Sequence, residues 1–502
     1  MVVQFFYITF IFRNTVYMKK KKSPYPAWVD KHRKPGTEIR KFGDKFYQYE
    51  VSSYYDKEKK KGRKKTGKLL GTLSEAHGFV EKKFIKVSRN YRGPIVKNIT
   101  TKEYGLSAFI QTYCIDIIAP LKQYFPEQWE WMLVALYCRI LHTSPIKNMH
   151  YYYTKSFLSE QLNISVNAKA ISQLIRELGA DRKPLADYMK YLAGDEKFVL
   201  IDATSIVSYS DNLTRVHTGL SKNKSYEPIF NLLYFYSPNN YLPAYYRLFN
   251  GNIKDVKMLT TTIKESKFKD AIIIGDKGFF SEENLNYLEG ETLQYIVPLR
   301  RNSTLIDYKK YENLTKSNDH FLFEKRVIYH DSYPLSDSRS IYLFVDEQMM
   351  IKEKRDFIFR MHKETPSYTP DEFTAQLPQF GTFSLITNTK ADAETIFLNY
   401  KSRMSIEVLF DGVKNILGND YTYMHNDEAL EGWMFINHLA LLVHHKIYAL
   451  LKEKKLISKY SIRDFIEYLG DVKKVKINDE WIMEPVIAEQ KKLLQQTGVT
   501  IP

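Results

Sequence analysis

Two short apolar segments of the sequence each end in an aspartate, and this repeated pattern limits the folds open to the chain. The first is Phe-Val-Leu-Ile-Asp, ending at Asp202, and the second is Ala-Ile-Ile-Ile-Gly-Asp, ending at Asp276. A short apolar run is typical of a buried strand, and open α/β sheets build their sites at strand tips. An aspartate after a strand also commonly caps a turn or helix, so either one alone indicates little. The pattern predicts an α/β fold with a carboxylate at each of two strand tips.

A third polar set follows on a long helix predicted over residues 391–417. Its four members lie at offsets of 0, 3, 7 and 14, and are Tyr400, Arg403, Glu407 and Lys414. At about 100° per residue these offsets fall within an arc of about 60°. The rest of this helix is apolar nearly all round, which predicts a buried helix whose polar stripe faces a cleft or a partner. Two alternatives stay open: a purely structural ion pair between Arg403 and Glu407, and Asp411 as the functional acid in place of Glu407.

Three carboxylates gathered at two strand tips and a helix would repel one another and resist full ionisation. Two Mg²⁺ ions about 3.5–4 Å apart remove that conflict, and they can also activate the attacking oxygen and stabilise the leaving oxygen of a phosphoryl displacement. Asp255 is a competing acid, but it precedes a helix predicted to begin near Val256, where a role as N-cap is sufficient.

The charge of the chain favours a polyanionic partner such as nucleic acid. The formal net charge is +16 over 502 residues, far enough from zero to attract polyanions. Much of it lies in a basic loop predicted over residues 57–65, between two strands of a small β-rich unit. We interpret this loop as a contact for the DNA backbone, with a solvated charge run as the alternative. Its basic residues include Lys59, Lys60, Lys61, Arg63, Lys64 and Lys65.

Three other classes of protein are disfavoured. The only cysteines are Cys114 and Cys138, too few for a zinc ligand set or a disulfide framework. Residues 62–68 match most of a phosphate-binding P-loop, but Leu69 stands where a serine or threonine is required, so we expect no ATP site. The sequence has no apolar run of the length that a membrane-spanning helix needs, and we expect no membrane partner.

The four residues of the stripe carry a resemblance to a known family. Residues 400–414 meet, at all four positions, the Tyr-x2-Arg-x3-Glu-x6-Lys signature of the DDE transposases of prokaryotic insertion sequences, specifically the insertion-sequence-four family. Ile201–Ser205 resembles the first catalytic aspartate region of this family, Gly275–Phe279 resembles the second, and Phe249–Asp255 resembles its Gly-Asn-x-x-Asp stretch. The resemblance covers roughly residues 181–450, and Trp28–Gly78 is similar to an N-terminal region of some members.

The resemblance implies an α/β fold with a ribonuclease-H-like catalytic core that is interrupted by a β-rich insertion and preceded by a small basic β-rich domain and a helical region. We interpret residues 1–17 as an over-extended N-terminus. The remaining expected divisions are 18–90 for the basic β-rich DNA-binding domain, 91–193 for the helical region, 194–297 for the first part of the core, 298–380 for the insertion, 381–450 for the second part of the core with the signature helix, and 451–502 for a C-terminal helical tail.

The implied activity is that of a transposase that binds the terminal inverted repeats of its element, cleaves the ends and joins the 3′-OH to target DNA. Asp202, Asp276 and Glu407 would be the catalytic residues and would hold two Mg²⁺ or Mn²⁺ ions. Tyr400, Arg403 and Lys414 would position the phosphates. Some relatives hold a flipped base with a tryptophan of the insertion, and this chain has none between Trp131 and Trp433.

The expected partners are double-stranded DNA, as inverted repeats and as target, and a second copy of the chain in a homodimer on DNA. No ATP is expected, because phosphodiester exchange is close to energetically neutral. The expected location is the cytoplasm of a prokaryote, in association with the nucleoid. Two other functions stay open: a metal-dependent nuclease without strand transfer, and a non-cutting DNA-binding protein derived from a transposase.

Overall fold

The structure, a computed structural model, describes residues 23–82, 99–220, 225–316, 319–363 and 365–501. The chain divides into two compact units, Met1–Ile95 and Val96–Pro502. The predicted over-extended N-terminus, residues 1–17, lies outside the described residues. The two units are described one after the other.

The first unit is a four-stranded antiparallel sheet with one short helix. Its elements are α1 (Ala27–Asp30), β1 (Thr37–Phe42), β2 (Lys45–Asp56), β3 (Lys61–Ser74) and β4 (Gly78–Glu81). The strands follow the order β1-β2-β3-β4, and the small core beneath them consists of Val29, Ile39, Phe46 and Leu73. Four buried side chains make a modest core, as expected of a unit this small.

The predicted basic loop over residues 57–65 is wrong in extent, because only Lys57–Lys60 form the turn. Lys61–Lys65 belong to β3 and pair with β2. Lys60 takes a φ of 45°, and the carboxylate of Asp56 accepts a hydrogen bond from the backbone N–H of Lys59 at 3.1 Å. These two features close the hairpin tightly. The lysines of β3 are compatible with strand pairing, because their charged side chains are exposed to solvent.

The second unit begins with one strand, β5 (Ile99–Glu103), followed by a helical layer. The helices are α2 (Gly105–Tyr113), α3 (Ile115–Tyr124), α4 (Trp129–His142), α5 (Met149–Lys155), α6 (Leu158–Gln161), α7 (Ala168–Ala180) and α8 (Arg182–Ala193). Their apolar faces belong to the large core of this unit, as the 3.6-residue periodicity of these segments predicts.

A ten-stranded mixed sheet forms the centre of the second unit. Its strands are β6 (Phe198–Val207), β7 (His217–Leu220), β8 (Tyr226–Ser237), β9 (Leu242–Asn250), β10 (Ile272–Ile274), β11 (Gln294–Pro298), β12 (His320–Phe323), β13 (Arg326–Pro334), β14 (Ser340–Asp346) and β15 (Thr382–Thr387). The order is β12-β13-β14-β15-β11-β10-β6-β8-β7, with β9 on β8. β10 runs parallel to β6 and β11, and the other pairs are antiparallel.

Two predicted segments differ in content from the structure. The segment 298–380, expected to be β-rich, contains β12, β13 and β14, which extend the central sheet, and also two helices, α11 (Glu347–His362) and α12 (Pro370–Gln376). The tail after residue 450, expected to be helical, contains a hairpin that pairs with β5. Its tight turn has Asn478 and Asp479 at φ values of 51° and 72°, which is the backbone that a two-residue hairpin loop needs.

The remaining elements surround the sheet. They are α9 (Asp255–Ser266), α10 (Glu282–Gly290), α13 (Ala393–Lys401), α14 (Ile406–Asp411), α15 (Asp427–Glu453), α16 (Ile462–Gly470), β16 (Lys473–Ile477), β17 (Glu480–Met483) and α17 (Ala488–Thr497).

Helix α15 is the central helix of the core. Among the helices in the described ranges, only α15 has the length and the apolar composition that a membrane-spanning helix needs. In this structure 78% of its most apolar 18-residue stretch is buried inside the protein. A buried core helix has the same composition. Burial lowers the pKa of its His438 to about 3 and that of His444 to about 4, so both rings are neutral core residues at neutral pH.

The backbones of α7 and α15 meet at two glycines. A Cβ atom at Gly432 would lie 1.9 Å from the carbonyl oxygen of Ile175, and one at Gly179 would lie 1.8 Å from that of Glu428. Both distances are far inside van der Waals contact. Because a backbone atom cannot move aside as a flexible side chain can, only glycine fits here.

We expect Gly432→Ala to lower the free energy of unfolding by about 3 kcal/mol, because the added methyl group must push α7 and α15 apart. Urea denaturation of the full chain measures this as a lower midpoint. Gly290→Ala is the matched control, since a Cβ there meets no atom within 4 Å, and it should be neutral or slightly stabilising. Equal losses in both variants would contradict the close-packing argument.

Candidate active site

The two aspartates singled out by the sequence lie side by side in the central sheet. Parallel strands β6 and β10 pair Leu200 with Ile274, and each aspartate lies two residues beyond its paired residue. Asp276 lies just after the end of β10, as predicted, with Gly275 between them. Asp202 is not at a strand tip, because β6 continues to Val207 and pairs there with β8. Since β10 ends at Ile274, Asp202 lies where the sheet opens beside β6.

Arg403 bridges the two aspartates. Its Nη1 lies 3.6 Å from Oδ2 of Asp202, and its Nη2 lies 3.9 Å from Oδ1 of Asp276. Asp202 also accepts a hydrogen bond from the backbone N–H of Ala203 at 2.8 Å. One guanidinium therefore contacts both carboxylates, although 127 positions separate Asp276 from Arg403 in the sequence.

Tyr400 belongs to the same group. Its ring centroid lies 6.0 Å from Cζ of Arg403 and 4.9 Å from the ring of Phe383. Burial raises the pKa of its hydroxyl, the positive charge of Arg403 lowers it, and the negative charges of Asp276 and Asp202 raise it. The structure thus brings Tyr400, Arg403 and the two aspartates into one electrostatic cluster.

The predicted single α-helix over residues 391–417 is wrong in its regularity. After α13 the chain forms a 3₁₀ segment, Ser402–Ser405, then α14, and then a π segment, Gly412–Ile416. These segments turn by different angles per residue, so a stripe drawn at 100° per residue does not hold along the helix. Nor is the helix apolar and buried all round: Leu398 is 42% exposed and Met404 is 67% exposed.

Glu407 is exposed on α14, and α14 packs against β6. In the part of the chain that the structure describes, no three His, Cys, Asp or Glu side chains are close enough to hold a metal ion. In the described ranges Glu407 does not join Asp202 and Asp276 in such a group, and its role as the third acid stays a prediction. Nor do Arg403 and Glu407, both within the described residues, form the alternative structural ion pair. Arg403 contacts the two aspartates instead.

The other two residues of the α14 region have separate surroundings. The ammonium of Lys414 donates a hydrogen bond to the carbonyl oxygen of Ser205 at 3.1 Å and lies 3.4 Å from Oδ1 of Asp420. Lys414 is thus tied to β6, three residues beyond Asp202. Asp411 accepts a hydrogen bond from the amide of Asn415 at 2.6 Å, and its charge acts on buried His444. Asp411 therefore interacts with its own helical segment and with α15.

The prediction that Asp255 is an N-cap is wrong. The N-cap of α9 is Lys254, which makes no side-chain cap hydrogen bond, and Asp255 is the first helical residue. A Cβ atom at Gly278 would lie 2.5 Å from Oδ2 of Asp255, so the carboxylate lies against the backbone just after Asp276. Burial and the charge of Asp276 both raise the pKa of Asp255. In the sequence, the Gly-Asn-x-x-Asp stretch that ends at Asp255 is the feature that could have indicated an acid beside Asp276.

A cleft of about 790 Å³ opens beside the cluster, between β11, the strands of the insertion and α13. Asp276, Tyr400 and Arg403 form one end of it. Its basic lining residues are Lys277, Arg300, Arg301, Arg326, Lys401 and Arg403. Arg326 pairs with Asp346 at 2.7 Å, and Arg301 pairs with Glu353 at 2.9 Å. Sequence reasoning missed this cleft because its walls come from segments distant in the chain.

The residues of the pair fit a divalent cation in their chemistry. Carboxylate oxygens are the ligands that Mg²⁺ and Mn²⁺ prefer. The side chains of Asp202 and Asp276 are 29% and 39% exposed, so an ion can reach them. Arg403 brings one positive charge to two negative ones, and Asp255 lies close enough for the charge of Asp276 to raise its pKa.

The predicted DNA contacts in the first unit lie on the hairpin β2–β3. Lys59 and Lys60 belong to its turn, and the other four belong to β3: Lys61, Arg63, Lys64 and Lys65. The five lysines are exposed, whereas Arg63 is half-buried and pairs with Asp56.

Comparison with known proteins gives a family. No curated protein matches the chain significantly. One solved structure, the cryo-EM structure of a piggyBac transposase synaptic complex with hairpin DNA, is similar over 73% of this chain and 79% of that one, with 12% sequence identity and a TM-score of 0.40. The family model described as "Transposase DDE domain" matches residues 193–443, which is half of the chain and includes both aspartates, Arg403 and Glu407. The chain belongs to the family of transposases with a DDE domain.

Proposed function

We propose that this protein is the transposase of a prokaryotic insertion sequence, which binds the terminal inverted repeats, cleaves the DNA at the ends and joins the 3′-OH to target DNA. The observation that carries the proposal is the contact of Arg403 with both Asp202 and Asp276. Through this contact, the segment that carries the Tyr-x2-Arg-x3-Glu-x6-Lys pattern lies next to both aspartates. The full Tyr-x2-Arg-x3-Glu-x6-Lys pattern supports the narrower assignment to the insertion-sequence-four family.

The order of the strands supports a ribonuclease-H-like core. Antiparallel β9, β8 and β6 are followed across the sheet by β10 and β11, which run parallel to β6. Asp202 lies on β6, the central strand of this set, and Asp276 lies two residues after the end of β10. The insertion leaves the core after β11 and returns through β15, which pairs with β11.

Asp202, Asp276 and Glu407 are the proposed holders of two Mg²⁺ or Mn²⁺ ions, which would activate the attacking oxygen and stabilise the leaving oxygen in each displacement. Glu407 is favoured over Asp411 as the third acid, since Asp411, one helical turn further along, already interacts with Asn415 and His444. The exposed carboxylate of Glu407 is on a helix that packs against β6, within the same region as the pair.

Arg403 is proposed to hold the phosphate of a DNA end. It contacts the two aspartates and also lines the basic cleft, so a phosphate placed at the pair meets its planar fork of N–H donors. Tyr400 flanks the guanidinium and presents a hydroxyl that burial keeps protonated. Lys414 adds positive charge beside β6. These groups bind and orient the DNA end without forming a covalent bond to it.

Double-stranded DNA is the proposed partner, as terminal repeats and as target. We further propose a homodimer on DNA, because two ends must be joined in one reaction, and no requirement for ATP, because one phosphodiester bond is exchanged for another. A nucleoid location in a prokaryotic cytoplasm follows from this function.

The decisive experiment incubates the full chain with Mg²⁺ and a duplex that carries the repeats flanking its gene, together with a target plasmid, and sequences the products. Joined products support the transposase. Cleaved ends without joined products would replace it by a nuclease, and stable binding without cleavage would replace it by a non-cutting DNA-binding protein. The Asp202→Asn protein is the control for contaminating nucleases.

The basic hairpin should contribute to the salt dependence of DNA binding. Neutralising Lys59, Lys60 and Lys64 with glutamine is expected to flatten the plot of log affinity against log salt by up to about 0.9 for each phosphate that the hairpin no longer neutralises. Fluorescence anisotropy over a range of salt concentrations measures the slope.

The matched control neutralises three exposed lysines beyond α15, namely Lys454, Lys455 and Lys459, which changes the net charge equally. If both triple variants have the same slope, the hairpin makes no phosphate contacts and its charges are only solvated.

A further inference from the structure

The hairpin β2–β3 continues beyond the rest of its sheet as a two-stranded ribbon. β1 pairs with β2 only as far as Glu50, and β4 pairs with β3 only from Gly71 onward. Between these limits Ser52–Asp56 pair with Lys61–Lys65, five residue pairs that span about 17 Å. Within the described residues no third strand pairs with an edge of this ribbon, and all of its side chains are exposed except those of Asp56 and Arg63, which are half-buried.

The two faces of the ribbon differ. Directly opposed residues share a face, and successive residues alternate between faces. The arginine face consists of Ser52, Tyr54, Asp56, Lys61, Arg63 and Lys65. The lysine face consists of Ser53, Tyr55, Gly62 and Lys64. Tyr54 and Tyr55 are 49% and 63% exposed. Each face of the ribbon therefore presents one large aromatic side chain to solvent.

Arg63 is held in place on the arginine face. Its Nε lies 3.1 Å from Oδ2 of Asp56, while Oδ1 of Asp56 accepts the backbone N–H of Lys59 in the turn. The carboxylate is therefore anchored on one side and fixes the guanidinium on the other. This ion pair engages Nε, and the two terminal nitrogens carry the N–H donors of the fork. A fork fixed in this way loses little conformational entropy when it binds.

We propose that the ribbon enters the major groove of duplex DNA with its arginine face towards the base edges, and that Arg63 donates to O6 and N7 of a guanine. The major groove, about 12 Å wide, admits a two-stranded ribbon, and an arginine fork matches these two guanine atoms. Residues 51–66 carry seven basic and two acidic side chains, a net charge of +5, which complements the phosphates on both sides of the groove. The inference rests on the proposed function only in taking DNA as the partner.

The ribbon would then supply sequence preference, and the turn lysines and Lys64 would supply affinity. A base contact and a phosphate contact can be told apart by the effect of removing them on DNA binding. Removal of a base contact relaxes preference at one position, whereas removal of a phosphate contact weakens binding to all sequences alike.

The first test selects bound duplexes from a randomised library with the full chain. The wild type is expected to enrich a short sequence that contains a guanine. Arg63→Gln, whose side-chain amide matches adenine rather than guanine, is expected to lose that guanine from the enriched sequence. Lys64→Gln is the control from the lysine face and should enrich the same sequence with weaker binding overall. No enrichment by the wild type, or the same guanine enriched by Arg63→Gln, would overturn the proposal.

The second test replaces the enriched guanine by 7-deazaguanine, which removes the N7 acceptor and leaves the backbone charge unchanged. The wild type should bind this duplex more weakly by up to about 10-fold, because the hydrogen bond to N7 is lost while the one to O6 remains, and Arg63→Gln should show no further loss. Equal losses in both proteins would show that another part of the chain reads this guanine. If the enriched sequence is absent from the ends of the element, the proposal that the protein binds terminal repeats would be contradicted. The proposal that the ribbon recognises a DNA sequence would still be supported.

Discussion

Replacement of Asp202 or Asp276 by asparagine is expected to lower both end cleavage and strand transfer by about 10³-fold or more, because the amide cannot supply the negative charge on which divalent-ion catalysis depends. The shape of the side chain is preserved. Binding to the repeats should stay within about 2-fold, since phosphate and base contacts lie on other residues. Product sequencing and anisotropy on the same preparations measure the two effects.

Glu407→Gln should have the same effect as the aspartate variants if Glu407 acts with them. Double replacements within the trio should be no worse than single ones, as expected of groups that work as a unit. Asp411→Asn is the matched control, an exposed acid on the same helix that interacts with Asn415. Asp255→Asn is a poor control, since its carboxylate lies beside Gly278 and interacts with the charge of Asp276. A Glu407→Gln protein that still cuts, together with an Asp411→Asn protein that does not, would move the third acid along the helix.

The two aspartates were accessible from sequence because each belongs to a local pattern. An apolar run that ends in an aspartate is sufficient to indicate a buried strand with a polar end. That the two strands are neighbours and parallel, which brings Asp202 and Asp276 to the same level, is seen only in the fold. What the pattern did not contain was the length of β6, which continues past Asp202 because β8 still pairs with it.

The position of Glu407 could not be predicted in the same way. A helical wheel assumes one angle per residue, whereas the 3₁₀ and π segments around α14 depend on tertiary packing. The role of Asp255 was missed for a similar reason. An acid at the start of a helix satisfies a local rule, and only the fold shows that the chain turns back at Gly278 and brings Asp255 beside Asp276. The basic cleft beside Tyr400 has no local signature, since its walls come from distant segments.

The hairpin at the C-terminal end was missed although its signal was present. Residues 473–483 alternate and contain Asn478 and Asp479 at the turn, but the surrounding helical pattern favoured a helix. The strand is stabilised by its pairing with β5, more than 350 residues earlier, and no local propensity contains that information.

Arg403→Ala is expected to have two opposite effects, which makes it the most informative single change in the site. Strand transfer should fall by about 10²- to 10³-fold, the range for removing a charge-stabilising donor from the transition state. Binding of Mn²⁺ should instead be unchanged or tighter, by up to about 5-fold, because the guanidinium competes with cations for two partly exposed carboxylates. Calorimetry with Mn²⁺ in the absence of DNA measures the second effect.

Arg403→Lys separates charge from geometry in the same experiment. The ammonium still neutralises part of the negative charge, so Mn²⁺ affinity should resemble that of the wild type, while the loss of the planar fork should lower strand transfer to an intermediate level. Arg355→Ala is the matched control, an exposed arginine on α11 whose side chain is 77% exposed, and it should change neither quantity. A collapse of Mn²⁺ affinity in Arg403→Ala would mean that the guanidinium holds the two aspartates in position. A structural role of that kind predicts parallel losses in metal binding and strand transfer, whereas a phosphate-binding role predicts that the two quantities move apart.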